Sequence, residues 1–178
     1  MTSLMFSITL SILPVNHHAK TITDTNNRNT AISVSNAFNG ITIYGNIRVY
    51  VIEGNKNEIL VNNEDEANKI KIKVEDSVLV VKNKKNMFSG KSAIKMFIMV
   101  KDIKCITIMD DAEVRTVGEL SDRNLKLEIY GDGCIYASTK AIEVDTFIRG
   151  LGKIEVKGNF QNTSVSKDAY GNMITKYK

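Results

Sequence analysis

The chain has 178 residues and a mass of 19.8 kDa, enough for one domain, or one domain behind a leader. Hydrophobic residues make up 43%, charged residues 25%, and the formal net charge is +4, which excludes intrinsic disorder; one Pro and 11 Gly exclude collagen-like and Pro-rich chains. Two Cys, without a CxxC pair, exclude a disulfide scaffold and a thiol-based zinc or redox motif.

The aliphatic balance points to strands. There are 22 Ile and 15 Val against 9 Leu. β-Branched side chains lose rotamer freedom in helices and pack well on a pleated sheet.

Residues 1–19 carry no charge, and an apolar run over 4–15 contains Pro14 near its end. This predicts a secretory signal with cleavage after Ala19. A buried N-terminal strand is the alternative. The run is too short for a membrane span, which takes about 20 residues. Residues 20–30 read as a polar, Asn/Thr-rich linker, and 31–178 as the folded domain. The expectation is an exported protein of the periplasm, outer surface or medium.

Strands are predicted at 41–44, 47–52, 58–61, 70–74, 78–81, 94–100 and 106–108. Turns fall at Gly45-Asn46, Gly54-Asn55, Glu75-Asp76-Ser77 and Ser89-Gly90-Lys91. The stretch IKVEDSVLVV predicts a tight hairpin. NEDEANK predicts a helical turn with its acids at the positive end of the helix dipole.

From residue 104 the chain repeats. Each unit has a strand, a small-x-small step and a second strand, and the second small residues are Ala112, Gly133, Gly152 and Gly171, spaced 21, 19 and 19 apart. Relative to these, even offsets are mostly apolar or small, as in Ile108, Ile129 and Ile148, or Val114, Ile135 and Ile154. Odd offsets hold Asp111, Arg115, Tyr130, Asp132, Tyr136, Arg149 and Tyr170. In-register periodicity of two predicts an all-β solenoid whose like residues stack as internal ladders, with the glycines at corners. An antiparallel meander or sandwich is the alternative. In the last unit Lys167 replaces the Ile ladder and Met173 replaces Ile, as a terminal repeat should.

Together the two halves resemble the head GIN domain family, also described as autotransporter adhesins. The resemblance covers roughly 31–178. It rests on the Phe38-Asn39-Gly40-Ile41 start, on IRVYVIEGNKNEILVNN leading into KIKIKVEDSVLVV, and on the steps GDGCI (131–135) and GLGKI (150–154). The first step departs from the pattern, reading Asp110-Asp111-Ala112-Glu113-Val114. The family implies an exported bacterial envelope protein with a right-handed parallel β-helix.

The only histidines are His17 and His18, inside the expected leader, so the mature chain would lack Ser-His-Asp and Cys-His catalysis and His metal sites. Cys105 and Cys134 sit at different repeat offsets and read as packing thiols. Asp110, Asp111 and Asp132 at successive corners read as solvated turn acids, with a Ca²⁺ site as the sharper alternative. No cofactor is predicted.

Lysines alternate with Ile and Val in KIKIKV (69–74), and the one dense basic stretch, Lys82, Lys84 and Lys85, looks like a turn. Nucleic-acid binding is therefore not expected. The candidate binding residues are Tyr130, Asp132, Tyr136, Arg149 and Tyr170, whose rings and charges would meet sugar faces and hydroxyls. The expected function is a non-catalytic, adhesin-like module that recognises glycan or protein at the envelope. A self-associating structural protein, as a homo-oligomer, is second, and a polysaccharide-active enzyme is third.

Overall fold

The computed structural model describes residues 20–23, 29–34, 36–83, 93–168 and 171–177. Among them run β1 (Lys20–Thr23), β2 (Thr30–Ser33), β3 (Gly40–Tyr44), β4 (Ile47–Glu53), β5 (Glu58–Val61), α1 (Glu64–Ala67), β6 (Ile70–Glu75), β7 (Val78–Asn83), β8 (Ile94–Val100), β9 (Cys105–Ile108), β10 (Glu113–Val117), β11 (Asn124–Tyr130), β12 (Cys134–Thr139), β13 (Glu143–Arg149), β14 (Lys153–Gly158), β15 (Asn162–Asp168) and β16 (Asn172–Tyr177). The all-β class expected from the β-branched excess is the class observed. The strands expected in the first half agree with the observed ones to within two residues at either end.

Two mixed sheets hold the strands. One has nine, ordered β1-β2-β5-β8-β4-β10-β12-β14-β16, and the other seven, ordered β15-β13-β11-β9-β3-β7-β6. Antiparallel pairs occur only toward the N-terminal side of each sheet. From β9 onward successive strands alternate between the sheets, and each pairs in parallel with the strand two ahead. That pairing excludes an antiparallel meander for this half.

The register brings the even offsets into line. Ile106, Leu127, Thr146 and Val165 are neighbours across β9, β11, β13 and β15, and Val114, Ile135, Ile154 and Met173 across β10, β12, β14 and β16. Most of these side chains are fully buried in one core between the sheets. Burying each Ile or Leu contributes roughly 1.5–3 kcal/mol. Thr146 is admitted because its hydroxyl donates to the Ser164 carbonyl at 3.2 Å.

Corners join the sheets. Gly133 N donates to Asp110 O at 3.0 Å, Cys134 N to Ala112 O at 2.9 Å, Gly152 N to Gly131 O at 3.1 Å and Asn172 N to Gly152 O at 3.0 Å. Backbones this close leave no room for a side chain. Gly131 has φ +145°, and a Cβ there would lie 2.6 Å from the Asp110 carbonyl oxygen. The departure at Asp110 is accommodated, since its φ is not positive and its carboxylate accepts from Gly45 N at 2.8 Å.

Local signals in the first half read correctly. The β6–β7 hairpin turns at Asp76 and Ser77, both with positive φ (49° and 63°), as a two-residue primed turn requires. Asn63 caps α1 by accepting from Glu66 N at 2.8 Å, with Glu64, Asp65 and Glu66 in the first turn. The linker composition of 20–30 conceals a strand, since β1 pairs antiparallel with β2. Four residues are too short for the alternation of Thr and Ile to stand out. The signal expectation falls on 1–19, and the turns expected at Lys84-Lys85 and Ser89-Gly90-Lys91 on 84–91, outside the described residues.

Two glycines separate close packing from backbone conformation. Gly118 has φ +83° with nothing within 4 Å of an added Cβ. Gly118→Ala should cost about 1 kcal/mol from conformation alone, and Gly131→Ala about 3 kcal/mol because strain and contact with the neighbouring repeat combine. Urea unfolding measures both, and equal losses would show that the corner can yield.

Candidate functional site

Three of the five candidate residues meet at one corner. β11 ends at Tyr130 and β13 at Arg149, and the parallel register makes these two cross-strand partners. Asp132 sits at the tip between Gly131 and Gly133, where its Oδ1 accepts from Leu151 N at 3.2 Å. The Tyr130 ring packs on Phe147, with centroids 5.2 Å apart and planes tilted by 44°. Leu151, the next corner tip, is 66% exposed. The result is an edge carrying an aromatic pair, an exposed Arg, an acid and an apolar tip. Sequence reasoning missed Phe147 and Leu151. The signal was present: Leu151 holds the repeat position that Asp111 and Asp132 hold in earlier units, and a large apolar residue at an exposed turn needs a reason.

Tyr136 is placed elsewhere, on β12 in the nine-stranded sheet, and Tyr170 lies outside the described residues. Tyr136 belongs to a row formed by Phe97, Tyr50, Arg115, Tyr136 and Glu155 on neighbouring strands. Tyr50 stacks on Phe97 at 5.1 Å, and the Arg115 guanidinium lies 4.0 Å from the Tyr136 centroid, with Lys153 at 5.2 Å. Cation–π contacts at such exposed sites are worth about 0.5–1 kcal/mol. They engage the Tyr136 ring with its neighbours, so it serves the sheet at least as much as it faces a ligand.

Charges on this sheet form two triads. Glu113 accepts from Arg48 (3.2 Å) and Arg115 (2.5 Å), and Glu155 pairs with Lys153 (3.1 Å) and Lys176 (2.6 Å). Hydrogen bonds from Lys176 and Lys153 pull the Glu155 carboxyl down to about 2. For Glu113, partial burial pushes upward, but Arg115 and Arg48 outweigh it and the net shift is downward. On the other sheet, burial raises the Cys105 thiol, against a lowering contact from Thr107. Both cysteines are free.

Asp110 and Asp132 spend carboxylate oxygens on corner amides. Among the described residues no group of three or more His, Cys, Asp or Glu is placed to hold a metal ion. The same residues include no helix long and apolar enough to cross a membrane.

Residues 37–175 match the family described as "Putative auto-transporter adhesin, head GIN domain". The chain belongs to this family. No curated protein matches it. Among solved structures, a "Putative lipid binding protein" from Parabacteroides distasonis is similar at a TM-score of 0.64 and 17% identity, over 92% of this chain and 69% of that one. A "putative adhesin" from the same organism reaches 0.50 and 16%, over 84% and 75%. Another from Bacteroides fragilis reaches 0.48 and 17%, over 79% and 93%. At these identities the two Parabacteroides likenesses speak to the fold alone.

The second triad has a pH signature. Glu155 is ionised in the fold down to about pH 2, against an ordinary value of 4.5, so its stabilisation is complete above 4.5 and is lost as pH falls toward 2. The melting-temperature gap between wild type and Glu155→Gln should be constant from pH 7 to 5 and close between 4.5 and 2. A gap that persists at pH 2 would mean that the carboxylate charge is not its source.

Proposed function

We propose that this GIN-domain protein is a non-catalytic, exported, adhesin-like module whose strands wind as a right-handed parallel β-helix and present a fixed outer surface to a glycan of the cell envelope. The family description supports adhesin-like binding and an envelope or surface location. The alternation of strands between sheets and the parallel register at repeat spacing support the solenoid reading.

The observation that carries the binding site is the convergence of Tyr130, Asp132 and Arg149 on the corner beside exposed Leu151. A ring next to a guanidinium and a carboxylate offers a sugar an apolar platform together with donors and acceptors. The backbone beneath is fixed by inter-repeat hydrogen bonds, so little ordering entropy is lost on binding. The corner has no histidine, and its acid is engaged with a backbone amide, which favours recognition over turnover. On a glycan array, Tyr130→Ala and Arg149→Ala should each weaken a specific signal about tenfold, as loss of an interface anchor does, while Tyr136→Ala leaves it within about twofold. A signal lost with Tyr136→Ala alone would move the site to the other sheet, and a blank array would turn the search to protein partners.

Self-association is the second reading. Val165 occupies an inward ladder position yet is 49% exposed, because β15 and β16 are the last strands of their sheets. Unpaired strand edges invite further strands. Sedimentation of the full chain across micromolar concentrations tests this, and a constant monomer mass counts against it.

A further inference from the structure

Among the described side chains the outer face of the nine-stranded sheet carries an excess of positive charge. Six cations point outward from it among the described side chains: Arg48, Lys95, Arg115, Lys153, Lys157 and Lys176. They face three acids, Glu58, Glu113 and Glu155. Outward positions of the seven-stranded sheet are nearly balanced, with five cations and four acids among the described side chains.

Register sharpens the contrast. Lys95 is the direct cross-strand partner of Arg48, and Lys157 of Lys176. Like charges directly opposite destabilise a sheet, and Glu113 and Glu155 offset this only on the Arg48 and Lys176 side of each pair. The hairpin pair Lys71 and Lys82 on the other sheet is relieved in part, since Lys82 lies 3.8 Å from the Tyr44 ring centroid. The two pairs lie at opposite ends of an oblique band across β8-β4-β10-β12-β14-β16, since Lys153 and not Lys157 shares the register of Arg48 and Lys157 lies four residues further along β14. Five strand spacings and a four-residue offset along the strands make that band about 27 Å long. The two triads add Arg115 and Lys153 to the band and tie Arg48 to Glu113 and Lys176 to Glu155.

We infer that this face binds an acidic polysaccharide, a linear polymer with a carboxylate on most of its sugars, laid across the strands. Along this oblique path the strands come about 5.5 Å apart, near the rise of one sugar in an extended chain, so successive carboxylates meet successive strands. Carboxylates between Lys95 and Arg48, and between Lys157 and Lys176, relieve the repulsion within each pair. Nucleic acid fits less well: base stacking needs open aromatic faces, and here Tyr50 and Phe97 stack on each other while Arg115 and Lys153 flank the Tyr136 ring. The surface is separate from the Tyr130 corner, so it stands or falls on its own.

The test immobilises polygalacturonate and passes the full chain over it, with dextran, single-stranded DNA and anionic phospholipid vesicles as comparators. Expected are retention on polygalacturonate above all three comparators and an affinity that falls at least tenfold from low to about 0.15 M ionic strength. Lys95→Gln combined with Lys157→Gln should bind about tenfold more weakly and melt no lower than wild type, since it removes repulsion. Lys71→Gln, which removes an outward cation from the seven-stranded sheet, should bind polygalacturonate as wild type does. Absent retention at low salt, equal retention on dextran, DNA or vesicles, or undiminished binding by a folded double variant would each overturn the inference.

Discussion

The backbone hydrogen bonds between neighbouring corners are the constraint on which the other features depend. Each ties one repeat to the next within 2.9–3.1 Å at the point where the chain passes from one sheet to the other. Once a corner is fixed, the strands on both sides of it have no freedom to slip. A slip of one residue would turn the inward Ile and Leu positions to solvent, so packing and corner bonding enforce the same register. The glycines follow from this, because a Cβ at Gly133 or Gly152 would meet a neighbouring side-chain methyl at 2.6 Å.

That register also decides what the outer surface is. Side chains at equal repeat offsets become neighbours about 4.8 Å apart, whether or not they attract one another. At Glu113 and Glu155 the outcome is favourable, with cations on both sides. At Lys95 beside Arg48 it is unfavourable. At Tyr130 it joins a ring to Arg149 on the next strand. These outward residues raise or lower stability without changing the register, which leaves them open to selection for binding.

Much of the scaffold was legible because its causes are local or periodic. The Asp76-Ser77 turn, the Asn63 cap and the in-register Ile ladders each leave a mark within a few residues or at a fixed repeat. The site was legible only in part. Outward direction follows from parity, so Tyr130, Tyr136 and Arg149 were read correctly as odd-offset residues. Membership of a sheet depends on which side of the corner a residue lies. Tyr130 precedes Gly131 and Tyr136 follows Gly133, so two tyrosines six positions apart end on different sheets.

The basic face was hidden for a related reason. Arg48 and Lys95 are far apart in sequence and belong to the half without a clear repeat, so nothing local announces that β4 and β8 pair in parallel. Lysines that look scattered along alternating strands are gathered by pairing onto one face. Net charge averages over both sheets and dilutes an excess that sits on one. In a two-sheet fold of this kind, a modest total charge is therefore weak evidence against a charged binding face, and the charge of each outward row is the quantity to compare.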